Sequence, residues 1–191
     1  AAFMMMPRGQ IRDALDRELL EKGAPALKMI AARRLGGVAA PIVAGLAGNA
    51  RNDDGLRAEA LQWLQRHGDP AETARRCLDR PQVATIALAI LANAEPAVAL
   101  GDLERLAKMG EPALTQQALR HARRHGASAE GFLLAYLASE GPQTARVAAE
   151  GLAEVGTTAA VMPLREKIDS LGLFDGAVKS AALGAIEAIQ G

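Results

Sequence analysis

Apolar residues recur along this chain at the spacing of one helix face, and the same face returns about every 31 residues. Segment 142–170 shows the unit most clearly, with an apolar stripe, a turn at Gly156 and a second stripe. Apolar residues lie eight, seven and four positions before most such turns, which places them on one face of a 3.6-residue helix. Equivalent turns fall at Gly36, Gly68, Ala94, Gly126, Gly156 and Gln190.

The periodicity predicts an all-α fold, an α-solenoid of about five to six helix pairs that forms a single domain over 1–191. We predict a cap helix 8–22, repeats 25–49, 55–79, 82–109, 112–139 and 142–170, and a last helix 176–190. The individual helices within the repeats are predicted at 25–35, 38–49, 55–67, 70–79, 82–93, 96–109, 112–125, 127–139, 142–155 and 158–170.

Prolines agree with these boundaries, because a proline is tolerated in the first turn of a helix. Pro70 and Pro96 are each expected to open a second helix. Pro41 and Pro163 lie further in and predict a late start or a kink in theirs. The first helices of four pairs open at Pro25, Pro81, Pro112 and Pro142.

The two ends of a solenoid need polar caps. Helix 8–22 has an apolar stripe of Ile11, Leu15, Leu19 and Leu20, and we expect its other side, which includes Asp16, to face solvent. Helix 176–190 is apolar around most of its circumference. We therefore expect it either to continue into a further repeat or to pack on a second copy of the chain.

Composition supports helices, because 50% of the residues are hydrophobic but only 3% are aromatic, and alanine and leucine supply the rest. The 22 basic and 22 acidic residues balance, which disfavours nucleic acid and anionic membranes as partners.

No uninterrupted apolar run approaches the roughly 18 residues of a membrane span. The single cysteine, Cys77, excludes an internal disulfide, so we expect a cytoplasmic protein. The first residues do not form an intact signal peptide, although a secreted or periplasmic location stays open.

Helix pairs of this length resemble HEAT repeats, and in particular the bacterial HEAT-like repeats named after phycobilisome lyases. The resemblance is carried by Ala145-Arg146-Val147-Ala148-Ala149, Leu152, Val155-Gly156 and Ala160-Val161-Met162-Pro163-Leu164. It implies a superhelix whose second helices line a concave binding face. The family includes scaffolds, adaptors and a few enzymes, so the resemblance indicates the fold more than the function.

Several residues are candidates for functional sites. His121 and His125 are spaced for a metal but lack a third ligand, so two surface histidines near a helix end are expected. A nucleic-acid binder could have a basic strip here, formed by Arg33, Arg34, Arg120, Arg123 and Arg124. Trp63, the only tryptophan, has the offset of a buried residue and offers no base-stacking platform. Cys77 reads as a buried structural thiol, and Phe132, Leu133, Tyr136 and Leu137 read as core.

We therefore predict a protein-interaction scaffold or adaptor without catalysis, cofactor or metal, whose partner is another protein. The alternative is a HEAT-like enzyme or nucleic-acid binder, similar to a phycobilin lyase or a DNA glycosylase. Mixed charges on the second helices suit a protein surface. The predicted partner contacts are Glu72, Arg75, Arg76, Asp102, Arg105, Lys108, Arg165, Glu166 and Asp169.

Overall fold

A computed structural model describes residues 8–139, 141–172 and 175–191. Over these ranges the chain contains α-helices and short 3-10 segments but no strand, so the predicted all-α class is confirmed. The 3-10 segments are Gly36–Ala39, Arg123–Ala129 and Thr158–Ala160. The α-helices are α1 (Arg8–Lys22), α2 (Pro25–Leu35), α3 (Ala40–Gly48), α4 (Asp54–His67), α5 (Ala71–Arg76), α6 (Pro81–Leu91), α7 (Leu100–Ala107), α8 (Pro112–Ala122), α9 (Glu130–Leu137), α10 (Pro142–Val155), α11 (Val161–Ser170) and α12 (Gly176–Gln190).

The helices group into two compact units, an N-terminal unit that ends at Leu91 and a C-terminal unit that begins at Ala92. In the N-terminal unit, α2 packs on α4 and α4 on α6, while α3 packs on α5. In the C-terminal unit, α8 packs on α10 and α10 on α12, while α9 packs on α11. First helices therefore contact first helices and second helices contact second helices within each unit. The single domain and the solenoid remain predictions.

Alanine and leucine build the core of both units. Leu61, Leu88, Leu119 and Leu152 are fully buried, and they alternate with alanines that are equally buried. Trp63 is only 3% exposed, as its offset predicts. Small residues let helices approach closely: a Cβ added at Gly151 of α10 would lie 3.0 Å from Leu133 Cδ2 of α9.

The second helices begin at different distances from their prolines. The late starts predicted from Pro41 and Pro163 are confirmed, since a 3-10 segment precedes both α3 and α11. The predicted opening of a helix at Pro96 is wrong, because α7 begins at Leu100. Val98 is buried and its carbonyl contacts His125 Nε2 at 2.8 Å, which holds this connection in a non-helical path.

The predicted faces of α1 are partly wrong. Leu20 is buried, but Leu15 is 49% exposed, and Asp16, which we expected in solvent, is 3% exposed. Asp16 accepts a hydrogen bond from Arg34 Nη1 of α2 at 3.0 Å, and this pairing explains how a carboxylate is tolerated inside. The side chain of Ile11 lies outside the described residues.

The last helix, α12, buries one face and exposes the other. Ala182, Ala185 and Ile186 are buried, whereas Leu183 is 46% exposed. Contact of this helix with a further repeat or with a second copy stays a prediction.

One stretch of the described chain, Pro25–Gly48, is long and apolar enough by composition to cross a membrane. Its sequence contains Lys28, Arg33 and Arg34, and the structure divides it into α2, a 3-10 turn and α3. Several of its apolar residues, among them Met29 and Val43, are buried in the N-terminal unit. Burial inside the structure covers 33% of its most apolar window, and the cytoplasmic location remains a prediction.

A buried arginine joins two helices and a turn of the N-terminal unit. Arg57 of α4 is fully buried and donates two hydrogen bonds to Asp79, at 3.0 and 2.6 Å. Its Nε also donates to the carbonyl of Ala47 in α3 at 2.9 Å. A buried guanidinium is tolerated only when its charge and donors are matched, so Asp79 and Ala47 are both needed here.

Removing the carboxylate of Asp79 should therefore destabilise the protein. We expect Asp79→Asn to lower the free energy of unfolding in urea by about 2 kcal/mol, since it leaves a buried charge without its counter-ion. The control is Glu72→Gln, which removes an exposed ion pair with Arg76 and should cost under about 0.5 kcal/mol. Equal losses in the two variants would contradict this account.

Two helix ends share one backbone conformation that favours glycine. Gly36 has φ 62° and ψ −150°, and Gly126 has φ 58° and ψ −146°. L-residues rarely adopt this region. Each glycine follows an Arg-Arg-x sequence and each is followed, three residues later, by a buried alanine, Ala39 or Ala129. The two units thus use the same corner after a first helix.

Gly126→Ala should cost about 1–3 kcal/mol of unfolding free energy, because the backbone strain is unavoidable while the added methyl meets open space. Gly131→Ala is the matched control, since it too meets nothing within 4 Å but lies inside α9. There alanine should be neutral or stabilise by up to about 1 kcal/mol. Thermal or urea unfolding of both variants measures the difference, and a neutral Gly126→Ala would show that the corner is not constrained.

Candidate functional site

The predicted partner contacts lie on three helices or directly after them, and all are exposed or half-buried. Glu72, Arg75 and Arg76 belong to α5 of the N-terminal unit, and the other six belong to the C-terminal unit. Some of these residues pair along their own helix: Arg76 with Glu72 at 3.3 Å, and Arg105 with Asp102 at 3.4 Å. The structure brings Arg165, Glu166 and Asp169 together on α11. Partner binding by all nine stays a prediction.

A groove of about 280 Å³ lies between α9 and α11, the two packed second helices of the C-terminal unit. We name it the α9–α11 groove. Its apolar lining comes from both helices, and polar groups of α11 stand at its edge. The lining residues are Leu134, Leu137, Ala138, Pro163, Glu166, Lys167 and Ser170.

Polar contacts fix the edge of the α9–α11 groove. Lys167 Nζ donates to the carbonyl of Ser139 just after α9, at 3.1 Å, and Ser170 Oγ donates to the carbonyl of Lys167 at 2.7 Å. Glu166 is exposed, and on the same helix Met162 keeps 60% of its surface exposed. The groove thus presents apolar and polar groups side by side, a combination that binding sites use.

Of the nine predicted contacts, only Glu166 lines this groove. Leu134 and Pro163 were missed as contacts, because a hydrophobic pattern along one helix assigns apolar residues to the core. The sequence signal that could have indicated them is Met162-Pro163, an apolar pair at the start of a second helix.

Tyr136 lies on α9 beside the groove residues. Its ring meets Phe132 edge to face, with centroids 5.4 Å apart. Burial and, to a lesser extent, the nearby carboxylate of Glu104 in α7 raise the pKa of Tyr136. The phenol therefore stays protonated at neutral pH, and this surface presents a neutral aromatic residue. The buried positions of Phe132, Leu133 and Leu137 confirm the expected core.

The arginines of the N-terminal corner are paired with acids. Arg33 contacts Glu59 of α4 at 2.6 Å, and Arg34 contacts Asp16 of α1 at 3.0 Å. Arg33 thus pairs with α4, the first helix of the next repeat, and Arg34 pairs with α1, the helix that precedes α2. Neither guanidinium adds a free positive charge to a basic strip.

The C-terminal corner repeats this arrangement with other partners. Arg123 pairs with Glu154 of α10, and Arg124 pairs with Glu95 of the preceding connection. Arg124 Nη1 also donates to the carbonyl of Ala94 at 2.9 Å. Here too the charges are balanced locally, so these four arginines do not favour nucleic-acid binding.

The prediction of two surface histidines is wrong. His121 is 5% exposed, and His125 is half-buried and bonded through Nε2 to the Val98 carbonyl. The pair also does not share one α-helix, because α8 ends at Ala122. Among the residues that the structure describes, no group of three or more His, Cys, Asp or Glu side chains could hold a metal ion.

Cys77 is fully buried, in agreement with the prediction of a structural thiol. Its Sγ donates to the Ala47 carbonyl at 3.3 Å, the same carbonyl that Arg57 contacts. Burial raises the pKa of Cys77, although the neighbouring Arg57 acts in the opposite direction. The thiol is therefore protonated at neutral pH and is not an activated nucleophile.

Comparisons with known proteins bear on the fold alone. No protein-family model matches the chain, and no curated protein matches it. A solved structure with a similar fold is the crystal structure of an engineered protein from the Northeast Structural Genomics Consortium. It is 18% identical, with a TM-score of 0.53 over 99% of this chain and 94% of that chain. The resemblance to HEAT-like repeats therefore stays an expectation.

The Asp79 carboxylate should make stability depend on pH. The hydrogen bond from Arg57 is the largest of the effects that lower the pKa of Asp79 below its ordinary value. A lowered folded-state pKa contributes stability that is present above the unfolded pKa, about 4, and is lost as the pH falls through the folded pKa. The difference in unfolding free energy between wild type and Asp79→Asn should thus be constant from pH ~7 to pH ~5 and shrink below pH ~4. Urea unfolding across this range measures it, and a difference unchanged down to pH ~2.5 would refute the role of ionised Asp79.

Proposed function

We propose that the chain is an α-solenoid that acts as a protein-interaction scaffold. The architecture is supported by the packing of first helices on first helices within each unit. It is also supported by polar contacts that join residues 26 to 31 positions apart, close to one repeat. These contacts are Arg33–Glu59, Arg80–Asp54, Glu130–Thr157, Lys167–Ser139, Arg124–Glu95 and Arg123–Glu154.

The partner protein binds along the second helices of the C-terminal unit. The observation that carries this proposal is the α9–α11 groove, where half-buried Leu134 and Pro163 lie near exposed Met162. A cleft of this size accepts one or two apolar side chains of a partner segment. Burial of such side chains supplies most of the binding energy at protein interfaces.

Charges around the groove set orientation and specificity. Arg165, Glu166 and Asp169 are exposed on α11 and carry both signs. A surface of mixed sign matches a partner of mixed sign better than it matches a polyanion. This composition favours a protein partner over nucleic acid, and the predicted absence of catalysis remains part of the proposal.

The test is recovery of partners from the native cell by the purified chain and its variants, followed by direct binding of the identified partner. Leu134→Glu places a charge in the groove and should weaken binding of the partner at least about tenfold. Glu166→Lys should weaken it less and change its salt dependence.

The matched control for both variants is Glu187→Lys, which changes an exposed charge on α12. It should leave partner binding unchanged. Partner binding that is equally strong in Leu134→Glu and wild type, with both folded by circular dichroism, would overturn the assignment of the groove.

A further inference from the structure

A second cavity of about 480 Å³ opens at the Arg-Arg-x-Gly corner of the C-terminal unit. It shares no lining residue with the α9–α11 groove. We name it the arginine pocket. Its volume lies in the range of ligand-binding sites. It is lined by Ala92, Asn93, Gln117, Arg120, His121, Arg123, Arg124 and Glu154.

Two of its arginines hold the walls in place. Arg124 Nη1 donates to the carbonyls of Ala92 and Ala94, at 3.2 and 2.9 Å, and so fixes the preceding connection against α8. Arg123 pairs with Glu154 and ties α8 to α10. Because these guanidinium groups are engaged within the unit, the pocket is formed before any ligand arrives.

The third arginine, Arg120, is different. Over the described ranges of the C-terminal unit, only Arg120 and Arg165 have guanidinium groups without a hydrogen bond or ion pair. The side-chain amides of Asn93 and Gln117, which line the same pocket, likewise have no partner within the described residues. One cation and two amide side chains, none of them bonded to another described residue, therefore line one cavity.

We propose that the arginine pocket binds a carboxylate side chain of an acidic segment in a partner protein. The charges of Arg123 and Arg124 are matched by Glu154 and Glu95, so Arg120 supplies one positive charge in excess. A guanidinium binds a carboxylate through two parallel hydrogen bonds, and the amides of Asn93 and Gln117 can bond the adjoining peptide backbone.

A carboxylate fits this pocket better than nucleic acid does. The single excess charge matches one carboxylate, whereas affinity for nucleic acid depends on many cations along the phosphate backbone. No aromatic residue lines the cavity on which a base could stack.

The corresponding corner of the N-terminal unit has a smaller cavity. The cavity beside Arg33 is only about 160 Å³, and it is lined in part by Trp63 and His67. The rings of these two residues are in contact, with centroids 4.6 Å apart and a tilt of 34° between their planes. The same corner thus leaves little space in one unit and a large opening in the other.

The proposal is tested by fluorescence anisotropy with a fluorescein-labelled hexaglutamate peptide and with hexaglutamine as the neutral control, at about 50 mM salt. We expect the purified chain to bind hexaglutamate and not hexaglutamine. Arg120→Glu should weaken binding at least about tenfold, because it removes the unpaired guanidinium and adds repulsion.

Arg17→Glu is the matched control, since it makes the same change of net charge at an exposed arginine of the N-terminal unit and should alter binding less than about twofold. Leu134→Glu should also retain binding, which separates this pocket from the α9–α11 groove. Absence of hexaglutamate binding, or equal loss in Arg120→Glu and Arg17→Glu, would overturn the proposal. Tighter, Arg120-dependent binding of labelled oligothymidylate would overturn it in favour of nucleic acid.

Discussion

Each helix in this chain ends in carbonyl groups that its own last turn cannot satisfy, and side chains of a neighbouring repeat satisfy several of them. The Ala47 carbonyl at the end of α3 accepts from Arg57 and Cys77, and the Ala107 carbonyl at the end of α7 accepts from Thr115. The Ser139 carbonyl after α9 accepts from Lys167. Because a buried carbonyl without a partner costs free energy, each of these contacts links the end of one repeat to the next.

This constraint complements an interior built from alanine and leucine. Alanine lets helices approach closely but offers little shape to fix how far one helix slides along another. Directional contacts supply that information, and the buried hydrogen bond from Arg57 to the Ala47 carbonyl is one example. The same arginine also bonds to Asp79, so it fixes α3 and α4 against the turn after α5.

The sequence predicted the helices and their apolar faces well, because both depend on local periodicity. α1, α2, α10 and α12 have the predicted ends. Its errors fall where the deciding partner is distant in the chain. Asp16 is buried because Arg34 reaches it, and Val98 is held by His125, 27 residues later. The α9–α11 groove was missed for a related reason: a cavity depends on how two helices sit side by side, which the spacing of residues along either helix does not encode.

The two Arg-Arg-x-Gly corners show how function can be added to such a scaffold without changing its frame. In both, the first arginine pairs with a later glutamate, Glu59 or Glu154, and the glycine takes the same backbone conformation. These shared contacts are structural. The cavities beside the two corners differ in volume, about 160 Å³ beside Arg33 and about 480 Å³ beside Arg123. Trp63 lines the first, whereas Asn93, Gln117 and Arg120 line the second. The residues around the shared corner, and not the corner itself, therefore distinguish the two cavities.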